Sequence, residues 1–145
     1  MADEIFHEVR IKGAPAAVYA AITEPDKIEQ WWLHATPGEN DGGRTLKFGP
    51  GAGFQEMLLT DLRQDEAVRW KATENGMADW VGTELEFRLI PKEDQTFIHF
   101  KHSKWRENTP LYPHYSLSWA VFLLSLRDFV ETGKGSPYPN HWIRD

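Results

Sequence analysis

The chain opens with an alternation of apolar and polar residues that is typical of a half-buried β-strand. Across residues 5–12, Ile5, Val9 and Ile11 share one face, while Glu8 and other charged residues occupy the opposite face. The same period of two recurs in the segments 54–61, 67–72, 82–91 and 96–103. Short polar turns separate most of these segments, so they predict hairpin-connected antiparallel strands with one dry face.

The segment 82–91 defines the two faces most clearly. Leu85, Phe87 and Leu89 alternate with charged residues such as Glu86. Shifting this strand by one residue would bury carboxylates, so Phe87 is predicted to point inward and Glu86 outward.

Two short helices are predicted after the first strand, and one long helix near the end of the chain. Pro15 suits the first turn of the first helix, and Thr23 is predicted to be the N-cap of the second helix, which ends near residues 31–32. From residue 114 to 132 apolar residues recur at helical spacing, and glycines and prolines then prevent its continuation.

The segment 38–53 contains six glycines around one short apolar stretch, residues 46–48. This composition predicts loops that flank a single short strand.

The predicted order is therefore strand, two short helices, a run of strands and a long helix. Only the last helix is long enough to cover the dry face of the sheet. The sequence thus predicts an α+β fold in which a curved antiparallel sheet wraps around a long C-terminal helix, as one domain over residues 1–145.

Composition narrows the class of protein. The net charge is −6, with both signs interspersed, which disfavours a nucleic-acid partner. There is no cysteine, and therefore no disulfide, thiolate nucleophile or cysteine-bound zinc. The acidic start is unlike a signal peptide, and the longest apolar stretch, residues 119–124, is too short to cross a membrane. These features predict a cytoplasmic protein without membrane insertion.

No sequence motif predicts a catalytic centre, a metal site or a cofactor. A Gly-x-Ser-x-Gly motif is absent, and the glycine cluster at 49–53 lacks the Lys-Ser/Thr pair of a phosphate-binding loop. His99 and His102 lie three residues apart on a strand, so they should point to opposite faces rather than bind one metal ion.

His102 has two interpretations. It shares a face with Ile98 and Phe100, which places its imidazole inward near the end of the strand. There it could orient a ligand or transfer a proton near neutral pH. The alternative, which we favour, is a structural histidine bonded to a neighbouring backbone group or carboxylate.

The aromatic content is the most unusual feature: seven Trp, eight Phe and four Tyr in 145 residues. About half of these rings are expected to be core packing, and the others to line a pocket for a planar or acyl ligand. The residues predicted to bind that ligand are Trp32, Trp70, Phe87, Phe100, His102, Trp105, Tyr115, Trp119 and Phe122. Among them, His102 and Tyr115 are the candidates for a polar contact.

The order of motifs resembles that of the START-like (SRPBCC) superfamily, whose helix-grip fold is shared with the major birch-pollen allergen. Within it, the chain is most similar to the group named after the activator of heat-shock-protein-ninety ATPase. The matching residues are Gly13–Tyr19, Ile22–Pro25, Trp31–Trp32, Gly82–Phe87, Phe100–His102, Trp105 and Trp119. The resemblance implies a hydrophobic cavity between sheet and helix, with Trp31 and Trp32 near its entrance.

The leading functional hypothesis is a protein that binds a small hydrophobic or planar aromatic ligand, as a monomer or homodimer. One alternative is an enzyme of the polyketide cyclase or hydratase kind, with His102 or a cavity acid as general base. Another is a protein-interaction module related to chaperone ATPases.

Overall fold

Seven antiparallel strands and a long C-terminal helix form the fold; the predicted curved sheet and long helix are confirmed, with one strand more than predicted. The computed structural model describes residues 4–49, 55–106 and 112–139. The strands are β1 (Ile5–Ile11), β2 (Ala35–Asn40), β3 (Gly43–Phe48), β4 (Gln55–Arg63), β5 (Ala67–Ala72), β6 (Glu84–Lys92) and β7 (Gln95–Ser103). The α-helices are α1 (Pro15–Thr23), α2 (Pro25–Ile28) and α3 (Tyr112–Thr132), and a 3-10 turn spans Ala78–Trp80.

The strands form one sheet in the order β1-β7-β6-β5-β4-β3-β2. All neighbours are antiparallel, and the register between β4 and β5 shifts between Leu59 and Asp61. Such an irregularity bends a strand and increases its local twist. The sheet therefore curves, and α3 lies along its inner face.

The alternation in β6 orients the side chains as predicted. Leu85, Phe87 and Leu89 are buried on the inner face. On the outer face Glu86 forms an ion pair with Arg69 of β5, at 2.6 Å between Oε2 and Nε. The predicted assignment of the two sheet faces is confirmed.

This assignment can be tested with two adjacent substitutions. Phe87→Ala is expected to reduce the free energy of unfolding by about 3–5 kcal/mol, because it leaves a cavity in a site without solvent exposure. Glu86→Ala removes an ion pair whose Arg69 partner is half exposed, so about 1 kcal/mol or less is expected. Urea denaturation of both variants measures the difference, and the reverse ranking would contradict the register.

The helix α3 is fixed against the sheet near its C-terminal end, and the segment that follows it returns across the helix. Near that end, Glu131 Oε2 accepts a hydrogen bond from the backbone N–H of Lys12 at 2.9 Å. In the returning segment, Gly135 packs so closely that a Cβ there would lie 2.6 Å from the carbonyl oxygen of Gln30. The Tyr138 N–H then donates to the carbonyl of Trp32 at 2.9 Å. Residues 133–138 thus tie α3 to the chain that follows α2.

Two details differ from the sequence prediction. The segment 38–53 was predicted to hold one short strand, but β2 precedes β3 and pairs with it. Of the six β2 residues only Ala35 is buried, so the strand has no apolar alternation to reveal it. The predicted N-cap was also wrong: the Thr23 hydroxyl donates back to the Tyr19 carbonyl at 2.7 Å, and Glu24 is the N-cap of α2.

Candidate functional site

Aromatic side chains occupy the space between the sheet and α3. They come from four strands, from α3 and from three segments outside the regular elements. The aromatic cluster consists of Trp32, Phe48, Trp70, Trp80, Phe87, Phe100, Trp105, Tyr115 and Trp119. Ring centroids of contacting pairs lie between 4.4 and 6.5 Å apart, which is the range of favourable aromatic contacts.

Trp119 of α3 is the centre of this cluster. Its ring lies 4.4 Å from Phe100 and 4.8 Å from Trp32. It also contacts Phe87 and Trp80, at 6.5 and 6.2 Å. One helical residue therefore joins the rings on the central strands to those on the surrounding loops.

Trp32, like Trp105, lies outside the helices and strands. It lies in the connection between α2 and β2, and its side chain packs on Phe48 and Trp119. Its ring is nearly parallel to that of Trp70, with an interplanar angle of 6° and a centroid distance of 6.5 Å.

His102 is buried at one side of the cluster, and protein groups occupy both of its ring nitrogens. The indole N–H of Trp119 donates to Nδ1 at 3.0 Å, and Nε2 lies 2.8 Å from the hydroxyl of Thr83. An indole nitrogen can only donate, so Nδ1 is the acceptor and the proton resides on Nε2. The Thr83 hydroxyl in turn donates to the carbonyl of Trp80 at 2.6 Å. The chain of hydrogen bonds is complete from Trp119 to Trp80.

Burial keeps this imidazole neutral. Removal from water lowers the pKa of His102 from 6.5 to about 3. Near neutral pH a base with this pKa accepts protons poorly, and its unprotonated nitrogen already accepts the Trp119 N–H. The geometry therefore argues against His102 as a general base. The favoured interpretation named a backbone group or a carboxylate as its partner, whereas the observed partners are a hydroxyl and an indole.

A second polar feature lies at the end of the cluster near the start of α3. The Trp105 indole N–H donates to the carbonyl of His102 at 2.9 Å, and its ring stacks on Tyr115 at 5.3 Å. Burial raises the pKa of the Tyr115 phenol, and Asp79 raises it further, while the Trp80 indole acts in the opposite direction. Tyr115 is therefore a neutral hydroxyl over the physiological range of pH.

The indole nitrogen of Trp70 is buried and has no hydrogen-bond acceptor among the described residues. Trp70 is 1% exposed and its ring contacts Trp32, Phe48 and Phe87. The Trp80 nitrogen also lacks a hydrogen bond of good geometry, although its indole acts on Tyr115 as described. Buried donors without partners are uncommon in folded proteins, so the Trp70 N–H needs an explanation.

The structure brings most of the residues that were predicted to bind a ligand together in one place. Seven of the nine predicted ligand-binding residues belong to the aromatic cluster. His102 packs against the cluster, and Phe122 is buried on α3. The prediction missed Phe48, Trp80 and Thr83. Phe48 could have been found, because it alternates with Leu46 in the predicted short strand. Trp80 and Thr83 lie around a 3-10 turn that has no periodic pattern.

A buried carboxylate outside the cluster has a structural role. Glu56 of β4 accepts hydrogen bonds from the Thr73 hydroxyl at 2.7 Å and from the side-chain amides of Asn75 and Asn40 at 3.1 and 3.5 Å. Burial acts to raise the pKa of Glu56, but these hydrogen bonds outweigh it and leave the pKa lowered.

Within residues 4–49, 55–106 and 112–139, no three His, Asp or Glu side chains converge as metal ligands.

A surface depression of about 250 Å³ lies on the solvent side of α3, away from the cluster. It is lined by Val121, Leu124, Ser125, Arg127, Asp128 and Ser136.

No helix in the described part of the chain is both long and apolar enough to cross a membrane.

Comparison with known proteins places this architecture in a family. The family model described as "Activator of Hsp90 ATPase homolog 1-like protein" matches residues 12–131. A comparison with curated proteins finds no match.

Solved structures show the same fold. The Aha1 dimer from Colwellia psychrerythraea is 38% identical, with a TM-score of 0.80 over 92% of this chain and 99% of that one. CalU16 from Micromonospora echinospora is 19% identical, with a TM-score of 0.73 over 93% of this chain and 78% of that one. An AHSA1-like protein from Rhizobium etli is 22% identical, with a TM-score of 0.71 over 100% of this chain and 92% of that one. The chain belongs to the family of activator of Hsp90 ATPase homolog 1-like proteins.

Proposed function

We propose that the protein binds a small, planar and mainly apolar molecule between the sheet and α3, at the aromatic cluster. The observation that carries this proposal is the continuous run of nine aromatic rings between the sheet and α3, two of which belong to the helix itself. Flat, polarisable faces suit a flat aromatic guest, which can stack against them or meet them edge to face.

Entry requires one ring to move, since the rings of the cluster contact one another. Trp32 is best suited to that movement, because its backbone belongs to neither a helix nor a strand, whereas Trp105, in a similar backbone position, is held by the hydrogen bond from its indole N–H to the His102 carbonyl. A guest that parts Trp32 from Trp70 would be bounded by two nearly parallel indoles, with Phe48 and Trp119 beside it.

The expected affinity follows from the apolar area that a guest buries. Burial of roughly 200 Å² at about 25 cal/mol per Å² contributes about 5 kcal/mol before the costs of association. Those costs remove part of this free energy, so micromolar affinity requires a polar contact as well. His102 and Tyr115 were the predicted candidates for that contact. His102 already uses both ring nitrogens within the protein.

The proposal is tested by titrating 2-acetylnaphthalene into the protein while following tryptophan fluorescence. Saturable quenching is expected, because several indoles would contact the probe. Trp32→Ala should raise the Kd at least about tenfold, since it removes one wall of the site. The matched control is Phe6→Ala, which removes an aromatic ring that is 52% exposed on the outer face of the sheet and should leave the Kd unchanged.

Two results would contradict the proposal: no saturable binding of planar apolar probes, or equal effects of the two substitutions. If instead the protein stimulated a heat-shock-protein-ninety ATPase without binding such probes, the interaction-module hypothesis would be supported.

The cytoplasmic location and the single domain over residues 1–145 stay predictions. The relative from Colwellia psychrerythraea is a dimer, and the predicted alternatives of monomer or homodimer for this chain include that state.

A further inference from the structure

We infer that the bound molecule presents a neutral carbonyl oxygen to the indole N–H of Trp70. This inference rests on the proposed function and names the chemical class of the ligand. The polar contact that micromolar affinity requires would then be made by Trp70.

The first support is a contrast among the buried tryptophans. Three indole N–H groups have acceptors within the protein: Trp31 donates to the Ala21 carbonyl at 2.8 Å, Trp105 to the His102 carbonyl and Trp119 to His102 Nδ1. Trp70 is as deeply buried as these and has no acceptor in the described parts of the chain. The Trp80 nitrogen also lacks a hydrogen bond of good geometry, but its indole acts on Tyr115, so Trp70 provides the donor without a polar neighbour.

The second support is the surroundings of that donor. Trp32, Phe48 and Phe87 surround the Trp70 ring and present aromatic faces and edges, none of which is a strong acceptor. No acceptor among the described residues reaches this donor, so a bound flat molecule can supply one.

The third support is the charge of the interior. The buried polar and charged side chains in the described residues include no Lys or Arg. A carboxylate or phosphate at Trp70 would be buried without a counter-charge, which is costly. A neutral carbonyl conjugated to a planar ring system accepts the hydrogen bond without that cost, as in aryl ketones and quinones.

The inference is tested with two probes of nearly the same shape. 2-Acetylnaphthalene carries the carbonyl, and 2-isopropenylnaphthalene replaces its oxygen with a CH₂ group. The quantity measured is the ratio of their Kd values, compared between the wild type and Trp70→Phe. The substitution is expected to change this ratio about fivefold to tenfold, because it removes one hydrogen bond from the ketone only.

The matched control is Trp31→Phe, since the Trp31 N–H is already bonded to Ala21. This variant should keep the wild-type ratio. If Trp70→Phe does not fold, a benzothiophene isostere of tryptophan at position 70 removes the N–H and preserves the shape.

Nuclear magnetic resonance gives a direct readout. The indole N–H signal that disappears in Trp70→Phe should move downfield when the wild type binds the ketone, and should not do so with the hydrocarbon. An unchanged Kd ratio, or an indole shift that is the same for both probes, would overturn the inference while leaving the proposed binding site intact. If neither probe binds, the proposed function fails with it.

Discussion

Acidification is expected to remove roughly 4 to 5 kcal/mol of the free energy of unfolding through His102 alone, as the pH falls from 6.5 to about 3. Above pH 6.5 the imidazole is neutral in both the folded and the unfolded chain, so it adds no pH dependence. Between the two pKa values the unfolded chain binds a proton that the folded chain does not. Each pH unit in this window therefore costs about 1.4 kcal/mol of stability.

The measurement is a series of urea denaturation curves between pH 7 and pH 3, compared with the same series for His102→Asn. The asparagine oxygen can accept the Trp119 N–H, but the side chain does not titrate. The variant is expected to be less stable at neutral pH and to lose stability less steeply on acidification. Carboxylates such as Glu56, whose pKa is lowered, contribute equally to both proteins at the acid end. Parallel curves for the two proteins would contradict a buried, neutral His102.

Trp119→Ala is expected to reduce the free energy of unfolding by about 5 kcal/mol, at the upper end for a buried tryptophan. The residue is 2% exposed, and its ring joins the strands to the loops of the cluster. Its loss leaves a cavity and also deprives His102 Nδ1 of its donor, which adds to the cost.

Two further variants separate these contributions. Trp119→Phe keeps an aromatic ring and removes the N–H, so a smaller loss of about 1–3 kcal/mol is expected. Leu117→Ala changes a side chain of the same helix that is 55% exposed, and should cost about 0.5 kcal/mol or less. Equal losses for Trp119→Ala and Leu117→Ala would mean that the cluster does not fix α3 to the sheet.

Much of the fold could be predicted because one-sided burial leaves a periodic signal. Leu85, Phe87 and Leu89 alternate with charged residues, and the buried positions of α3 recur at helical spacing. The strand β2 has no such signal, because its pairing with β3 rests on backbone hydrogen bonds and five of its six residues are exposed. The N-cap was wrongly predicted because the Thr23 hydroxyl bonds to its own helix instead of to the next one.

The candidate site was predictable to the extent that it depends on which face of an element a ring occupies. Trp70, Phe87 and Phe100 lie on inner faces of neighbouring strands, which their alternation indicated. The partners of His102 could not be predicted in this way. Thr83 and Trp119 reach the imidazole across the fold, 19 and 17 residues away in sequence, and no local pattern encodes those distances. The availability of the Trp70 N–H was likewise invisible, because it depends on the absence of an acceptor in three dimensions.

The segment that returns across α3 provides a backbone amide whose exchange with solvent reports motion of the chain at Trp32. The backbone N–H of Tyr138 donates to the carbonyl of Trp32, so a displacement of the Trp32 backbone breaks that hydrogen bond. Amide hydrogen–deuterium exchange at Tyr138 then measures how often the hydrogen bond between the returning segment and Trp32 opens. Opening of the backbone beside the aromatic cluster is thereby measured as the exchange rate of a single amide.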